Sequence, residues 1–268
     1  MRKREIEGKA LKDIVQYGLK AVLDLLIPRQ CLVCGRSLDA TEEHLCRECL
    51  EDLPRTYYWR RKFNPMADRF NALIQDGLEV LLSARPAHGT TSQHYAYATA
   101  LFFYRAESGY SQITRQLKYH GDIPAGQFFG QVLGKKIASA EHFADVDTVI
   151  PVPLHWTRKW SRGYNQAEII AREVASVLGA ELRTDILQRS RRTRTQTKLT
   201  IEGKAANVQG AFRVLPGASD HAGPKHLLLI DDVFTTGSTL HACYTALRTA
   251  FPPSVRISVA TLAFVGEA

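Results

Sequence analysis

Apolar residues recur at helical spacing near the start of the chain, with lysine and aspartate residues on the opposite face. The apolar positions are Leu11, Ile14, Val15, Leu19, Val22, Leu23 and Leu26. This pattern predicts an amphipathic helix within residues 1–27, which Pro28 ends. Such a helix either packs on its own protein or binds a membrane surface or a partner. Charged residues interrupt every apolar run, so the pattern predicts neither a secretory signal nor a membrane span.

A different pattern begins at residue 95, where short apolar runs alternate with segments of helical periodicity. The predicted strands cover residues 95–104, 146–152, 227–233 and 255–264. The predicted helices cover residues 111–119, 126–137, 165–178 and 238–250. This alternation indicates an α/β domain over residues 95–268, with a doubly wound, mainly parallel sheet. Ligands of such sheets bind at the carboxyl ends of the strands.

The region between these two patterns is less regular. A cysteine module is predicted over residues 28–55, and a connecting or inserted segment over residues 56–94. Within that segment we predict a helix over residues 71–82 and a loop over residues 84–94, which are rich in turn-forming residues. No function follows from the residues of this segment.

Composition and charge narrow the class of protein. With 268 residues, of which 45% are hydrophobic and 23% charged, the chain suits one ordinary domain and a smaller module rather than a disordered protein. Its formal net charge is +8. Residues 155–204 contain eleven Lys or Arg and five Asp or Glu, so this stretch carries +6 of that charge. The balance indicates an anionic partner.

Four of the five cysteines form two CxxC pairs. The pairs are Cys31 with Cys34 and Cys46 with Cys49. In a chain without a predicted secretory signal, such pairs indicate metal ligands rather than disulfides, and therefore a cytoplasmic protein. Four thiolates suit a tetrahedral zinc ion with no open position, so we predict a structural zinc site. The alternative is a set of reduced cysteines that binds no metal.

Three further residues bear on the cysteines. Gly35 suits the turn after the first CxxC pair. His44 is a competing ligand that we do not favour. Cys243, within the helix predicted over residues 238–250, is predicted to be a core residue.

The most informative stretch for chemistry is the strand predicted over residues 227–233 and the turn after it. Two adjacent carboxylates, Asp231 and Asp232, lie near the end of the strand. The turn contains Thr235, Thr236, Gly237, Ser238 and Thr239. Amide groups at a helix start bind phosphate, and carboxylates bind sugar hydroxyls or Mg²⁺. The stretch therefore predicts a site for a sugar 5-phosphate; the alternative is an ordinary turn in which Thr236 or Ser238 is the helix N-cap.

A second candidate stretch follows the strand predicted over residues 146–152. Its candidate site residues are Pro153, Leu154, His155, Arg158, Arg162 and Asn165. Arginine side chains at this edge of the sheet suit a pyrophosphate leaving group, on which negative charge develops. Asn165 suits the N-cap of the next helix. The alternative is a solvated basic turn.

The run from His226 to Thr239 resembles the phosphoribosyl pyrophosphate motif of the type I phosphoribosyltransferases, with Phe234 where an aliphatic residue is usual. Further motifs, in the expected order, resemble the ComF family. They are Pro28…Cys31, Leu117-Lys118-Tyr119-His-Gly, Val149-Ile-Pro-Val-Pro153-Leu-His155, Arg162-Gly-Tyr-Asn165-Gln166-Ala-Glu168, and Thr195-Gln196…Leu199…Asn207…Gly210-Ala-Phe212. The resemblance covers nearly the whole chain outside residues 65–94.

This resemblance implies a type I phosphoribosyltransferase-like fold that binds phosphoribosyl pyrophosphate with Mg²⁺. It implies that Asp231 and Asp232 hold the ribose hydroxyls and that residues 235–239 hold the 5-phosphate. It also implies that the second candidate stretch, which follows residues 146–152, holds the pyrophosphate. It also implies a flexible loop, containing Gln196 and Lys204, that closes over the substrate. Lys204 stands where the family more often has arginine, which weakens the expectation of a bidentate phosphate contact. A surface loop without a closing role is the alternative.

Three functions remain open at this stage. The first is a transferase that moves the phosphoribosyl group to an unidentified acceptor, a reaction of the pentosyl-transfer class. His155 and Glu168 are candidate bases for it, and the alternative is that each has a structural role. The second is a non-catalytic protein that binds single-stranded DNA, since Trp156, Trp160 and Tyr164 interleave with basic residues; packing is their alternative role. The third is a scaffold for DNA-uptake proteins. ComF-like proteins are associated with the uptake or processing of transforming DNA.

Overall fold

The computed structural model describes residues 29–84, 95–154, 162–190, 210–217 and 223–266. The helix predicted within residues 1–27 lies outside these ranges, as do His155, Arg158, Gln196 and Lys204. The described chain divides into two compact units. One contains the residues up to Leu53 together with Glu107–Ile113; the other contains Pro54–Ala106 and the residues from Thr114 onward.

The first unit consists of short turns around the cysteines. Gln30 and Ser37 form an antiparallel bridge that brackets the first CxxC pair, and helix α1 (Arg47–Glu51) begins directly after Cys46. The turn predicted at Gly35 is confirmed, since its φ of 73° suits glycine. The Tyr110 hydroxyl donates to the Cys49 carbonyl at 3.1 Å. This contact attaches the segment Glu107–Ile113, which sequence reasoning had not connected to the cysteines.

The second unit is built on a parallel sheet. Its strands, in chain order, are β1 (Ala98–Phe103), β2 (Thr148–Pro151), β3 (Glu181–Leu182), β4 (Leu187–Arg189), β5 (Phe212–Val214), β6 (His226–Phe234) and β7 (Arg256–Phe264). Five of them lie side by side in the order β1-β7-β6-β2-β3, and each neighbouring pair is parallel. Strands β4 and β5 form a separate antiparallel pair. The predicted mixed α/β fold with a mainly parallel sheet is confirmed.

Helices cover both faces of this sheet. They are α2 (Pro65–Ala84), α4 (Ile123–Ala138), α5 (Gln166–Leu178) and α6 (Ser238–Ala250). Helix α3 (Ser111–Arg115) begins in the first unit and continues into a π-helical turn (Gln116–His120) of the second. Leu227 and Leu229 pack into one core cluster with residues of α2 and α6. Leu228 and Ile230, which alternate with them and point to the other face, are also fully buried. A sheet buried on both faces requires the nearly continuous apolar run that predicted β6.

Helix α2 starts earlier than its apolar pattern indicated. It was predicted from residue 71 but begins at Pro65, a residue suited to the first turn of a helix because it lacks an amide donor. The Asn64 side chain caps this start by accepting from the Ala67 amide at 3.0 Å. Met66 and Phe70 are fully buried in the core cluster. The helix therefore contributes to the core of the second unit.

Candidate functional site

Strand β6 extends beyond its neighbour β2, and this offset shapes the candidate site. Pro151 pairs with Ile230, and the Val152 amide donates to the Ile230 carbonyl at 2.8 Å. Within the described residues, pairing between these two strands ends there. On the other side, β7 continues alongside β6, with Thr261 opposite Asp231. The acidic residues 231 and 232 therefore follow the last β2–β6 pair, next to the loop that leaves β2.

The two carboxylates differ in their surroundings. Asp231 accepts a hydrogen bond from the Asp232 amide at 2.8 Å. Burial, together with the neighbouring charge of Asp232, raises the pKa of Asp231 to about 7. The Asp232 carboxylate lies 3.1 Å from the Lys118 ammonium. Because desolvation disfavours two adjacent negative charges, a partly buried lysine at this point stabilises the ionised pair.

Lys118 is a site residue that sequence reasoning missed, although its motif had been noted for the resemblance. Burial lowers the pKa of Lys118, but attraction to Asp232 and Asp231 outweighs this effect, so its pKa is raised. The residue belongs to the π-helical turn Gln116–His120, and such turns occur often at functional sites. The signal available in the sequence was a single lysine beside Leu117, on a helix whose apolar residues predicted burial.

The loop before α5 meets this π-helical turn. The Tyr164 hydroxyl donates to the Leu117 carbonyl, and the Arg162 guanidinium lies 5.6 Å from the centre of the Tyr119 ring. The structure thus brings together the acidic pair of β6 and two motifs whose contacting residues are 43 or more positions apart in the chain. Tyr164 is half-buried and engaged in this contact, so it packs between loops rather than standing free to stack on a base.

Asn165 fixes the position of the same loop. Its side-chain oxygen accepts from the Ala167 amide at 3.2 Å, which confirms the predicted N-cap of α5. Its side-chain nitrogen donates to the Val152 carbonyl at 3.1 Å. Pro153 and Leu154 follow β2 and are half-buried. Since both ends of the Asn165 amide are engaged, this residue joins the end of β2 to the start of α5.

The hydroxyl-rich turn after β6 leads directly into helix α6. Helix α6 begins at Ser238, as predicted, and its N-cap position is Gly237 rather than Thr236 or Ser238. Gly237 has a φ of 82°, and a Cβ atom there would lie 2.6 Å from the Phe234 ring. The Thr236 and Ser238 hydroxyls lie 2.9 Å apart, and Thr235 is exposed. Hydroxyl groups and the start of a helix therefore face the same turn.

Two other residues noted in the sequence, Glu168 and Phe234, make contacts that stabilise the fold. Glu168 accepts from Arg172 at 3.3 Å, one helical turn away, which is the contact of a helix surface. Phe234 is fully buried and packs at its edges against Phe70 and Phe264, so an aromatic ring at this position serves the core. Trp156 and Trp160, like His155 and Arg158, lie outside the described residues.

The four cysteines of the first unit form a cluster that fits a metal ion. The sulfur atoms of Cys31, Cys34, Cys46 and Cys49 lie within 4.8 Å of one another. The Cys34 and Cys46 sulfurs are 3.7 Å apart, close to the separation of about 3.8 Å that tetrahedral Zn–S bonds require. His44 does not belong to this group in the described chain. Four thiolates in this arrangement would hold zinc with no coordination position left for a substrate.

Comparison with protein families supports the metal assignment. A family described as "Double zinc ribbon domain" matches residues 22–58. That range contains the four clustered cysteines and no others. The match and the geometry of the sulfur atoms together support structural zinc in this module.

Comparison with curated proteins supports the resemblance noted in the sequence. Competence protein F of Haemophilus influenzae (strain Rd) is 34% identical over 102 residues, 38% of this chain and 44% of that protein. DNA utilization protein YhgH of Escherichia coli (strain K12) is 34% identical over 134 residues, 48% of this chain and 57% of that protein. The Salmonella typhi protein of the same name is 30% identical over the same length. The chain is a homologue of these proteins.

The extent of this homology is limited. The aligned part spans about half the length of the curated relatives. The predicted ComF resemblance is confirmed at this level, and the ligand of the acidic pair stays a prediction. None of the helices in the described ranges combines the length and the apolar character needed to cross a membrane.

Proposed function

We propose that the second unit binds phosphoribosyl pyrophosphate with Mg²⁺ and that the protein acts in DNA uptake or utilisation. The observation that carries the first part is the strand–turn–helix of β6 and α6, which presents two carboxylates and a hydroxyl-rich turn in succession. Few ligands need both a phosphate-binding turn and adjacent carboxylates, and a ribose 5-phosphate needs both.

The proposed pose follows from the chemistry of each group. The 5-phosphate accepts from the backbone amides and hydroxyls of residues 235–239, where the helix dipole favours negative charge. The neutral ribose hydroxyls donate to Asp231 and Asp232. Carboxylate oxygens are also the ligands that Mg²⁺ prefers, so these residues fit the ion. When bound, Mg²⁺ shields the negative charge of the pyrophosphate.

Lys118 and Arg162 supply positive charge around this pose. Lys118 offsets the charge of Asp232 at 3.1 Å, which lowers the repulsion between the acidic pair and an incoming polyanion. Arg162 is half-exposed and lies over the Tyr119 ring. We assign it, with Arg158 of the same loop, to the pyrophosphate group.

The reaction class we propose is pentosyl transfer. A nucleophile forms a bond to ribose C1, the bond from C1 to the pyrophosphate oxygen breaks, and pyrophosphate leaves with the electron pair. Cationic groups at the leaving oxygen stabilise the charge that develops there. Glu168, paired with Arg172, is a poor candidate base in this arrangement.

The second part of the proposal rests on the relatives, whose names are "Competence protein F" and "DNA utilization protein". A non-catalytic DNA-binding role is the second candidate function. The observation that favours it is the excess of basic residues in the stretch 155–204, which contains eleven Lys or Arg and only five Asp or Glu.

Thermal unfolding with phosphoribosyl pyrophosphate and Mg²⁺ tests the ligand. A ligand that binds the folded state at about 100 times its Kd stabilises it by about 2.7 kcal/mol, which raises Tm by several degrees. Asp231→Asn combined with Asp232→Asn should abolish most of this shift. The matched control is Glu181→Gln with Asp185→Asn, which removes two exposed carboxylates elsewhere in the unit. An equal shift in both double variants would contradict the assignment. Release of pyrophosphate with a panel of acceptors tests the transfer.

A further inference from the structure

A basic and aromatic turn precedes helix α2 in the second unit. We call residues 57–63, Tyr-Tyr-Trp-Arg-Arg-Lys-Phe, the basic–aromatic turn. Residues 55–64 contain four Lys or Arg and no Asp or Glu, so ten residues carry +4 of the formal charge of +8. This concentration lies outside the phosphoribosyl pyrophosphate motif and outside the basic stretch considered above.

Two aromatic rings anchor the turn and two face the solvent. Tyr58 and Trp59 are only 5% and 2% exposed, whereas Tyr57 is 45% and Phe63 is 69% exposed. The three cations between the exposed rings, Arg60 to Lys62, are exposed as well. The buried pair holds the turn on the unit. The exposed rings are thereby presented with positive charges between them.

The backbone of the turn is held in an unfavourable conformation. Among the described residues, Tyr57 is the one non-glycine residue with a positive φ, at 57°. A bulky residue stays in this region only where its surroundings impose it. The Trp59 ring lies 5.3 Å from the Tyr57 ring, and the Arg60 guanidinium lies 5.3 Å from the same ring. These contacts fix the direction of an exposed ring before any ligand is present.

The aromatic surface continues beyond the turn. Phe63 lies 5.0 Å from Tyr95, and Tyr95 lies 6.1 Å from Tyr97, measured between ring centres; both tyrosines are half-buried. The Lys136 ammonium lies 5.8 Å from the buried Trp59 ring. The surface therefore combines a row of rings, from Phe63 to Tyr97, with adjacent cations. The Asp68 carboxylate is engaged by the Tyr95 hydroxyl at 2.7 Å.

We infer that this surface binds single-stranded nucleic acid. Unpaired bases stack on exposed rings, and the phosphates between them contact adjacent cations, so alternation of the two is the pattern of such sites. A duplex offers no free base faces to these rings. An anionic membrane surface requires a broad apolar face, whereas here Tyr58 and Trp59 are buried in the unit. The inference supplies a surface for the proposed DNA role, and it does not depend on the binding of phosphoribosyl pyrophosphate.

The first test removes one ring. Binding of a fluorescent oligothymidine of roughly 20 nucleotides to the full chain is measured by anisotropy. Phe63→Ala should weaken binding about 5- to 100-fold, because one base–aromatic stack is lost. Phe63→Tyr keeps the stack and should bind within about twofold of the parent protein. Because Phe63 is 69% exposed, the alanine variant loses little packing, and circular dichroism checks that it is folded.

The second test removes charge. Arg60→Ala, Arg61→Ala and Lys62→Ala in one protein should make the slope of log K against log salt shallower by about 2, at about 0.7 per phosphate contact. The matched control is Arg115→Ala, Arg213→Ala and Lys225→Ala, which removes the same charge from exposed positions elsewhere in the unit and outside residues 155–204. The control should leave the slope within about 0.5 of the parent value.

Four results would overturn the inference. They are no binding of oligothymidine by the parent protein, parent-like binding by Phe63→Ala, an equal change of slope in the two charge variants, and Phe63-dependent binding to phosphatidylserine vesicles without binding to oligothymidine. Failure of the phosphoribosyl pyrophosphate proposal has a separate signature. Asp231→Asn with Asp232→Asn should leave oligothymidine binding intact, and Phe63→Ala should leave the thermal shift with phosphoribosyl pyrophosphate intact.

Discussion

Strand β6 carries ionisable residues at both ends, and the two ends differ in what their polar groups can still bind. At the amino end, His226 lies 2.9 Å from the Asp145 carboxylate and 2.8 Å from the Ser258 hydroxyl. These are the three residue types of a hydrolytic triad. At the carboxyl end lie Asp231, Asp232 and the hydroxyl-rich turn.

The amino end is closed. His226 is 0% exposed and Ser258 is 1% exposed, so no substrate reaches the serine. Asp145 also forms an ion pair with Arg256, and Asp147 accepts from the Lys225 amide at 2.7 Å. Each ring nitrogen of His226 has a partner, and burial lowers its pKa to about 4. The arrangement therefore stabilises the start of the strand.

The carboxyl end is open. Thr235 is exposed, Thr236, Ser238 and Asp231 are half-buried, and Asp232 is buried. Within the described ranges, the acidic pair has one lysine contact, from Lys118. Residue type and spacing are therefore insufficient to identify a site. Unused hydrogen-bonding capacity and access for a ligand separate the two ends, and both depend on what packs around the strand.

The largest effect that would test this comparison is on stability at the closed end. His226→Ala should lower the free energy of unfolding by about 3–5 kcal/mol, because it leaves a cavity and removes the partner of the buried Ser258 hydroxyl. Denaturant unfolding measures this change. Affinity for phosphoribosyl pyrophosphate, measured where the variant is folded, should stay unchanged; a parallel loss of affinity would mean that the two ends are coupled.

The next largest effect should be the loss of stability at low pH, which acts through His226 at the closed end. His226 has an ordinary pKa near 6.5 when unfolded and about 4 when folded. Between these pH values His226 is protonated in the unfolded chain but not in the folded chain. The free energy of unfolding therefore falls as the pH is lowered from 6.5 to 4, and this contribution is constant below pH 4. The loss should reach about 3 kcal/mol. Unfolding curves of the parent and of His226→Gln across this range measure it, and equal pH dependence in both would contradict the assignment.

At the open end, Gly237→Ala should cost about 2 kcal/mol of stability, because of its positive φ and the contact with Phe234. It should also weaken binding of phosphoribosyl pyrophosphate at least about tenfold, since displacement of the turn misplaces its donors. Gly179→Ala is the matched control: the φ of Gly179 is 65°, nothing lies within 4 Å of its Cβ position, and it follows the last residue of α5 rather than preceding α6. Equal affinities in the two variants would remove the phosphate assignment.

The smallest effects should fall on ligand affinity at the open end and on stability at the closed end. Thr235→Ala, at an exposed hydroxyl, should change stability by less than about 0.5 kcal/mol but lower ligand affinity about 3- to 10-fold. Ser258→Ala should lower stability by about 1 kcal/mol, through the lost contact with His226, and leave affinity unchanged. Calorimetric titration and denaturant unfolding of both variants supply the four numbers. The opposite pattern would reverse the roles of the two ends.

Local patterns in the sequence sufficed for several features. The apolar run of β6 and the start of α6 at Ser238 were predicted, since burial on both faces and the glycine-containing turn leave clear local signals. The Asn165 N-cap was predicted for the same reason. Cys243 is buried in the core, as predicted. The four-cysteine spacing predicted a cluster that the structure brings together.

Contacts between distant residues had no such local signal. The parallel α/β class, the four clustered cysteines and the position of the acidic pair were predictable from the sequence, because each depends on residues close together in the chain. Three other features were not: the contact of Lys118 with Asp232, the contacts of His226 with Asp145 and Ser258, and the exposure of Phe63 beside Tyr95. Those outcomes depend on which surfaces the fold covers, and burial is a property of the packed chain rather than of any single segment.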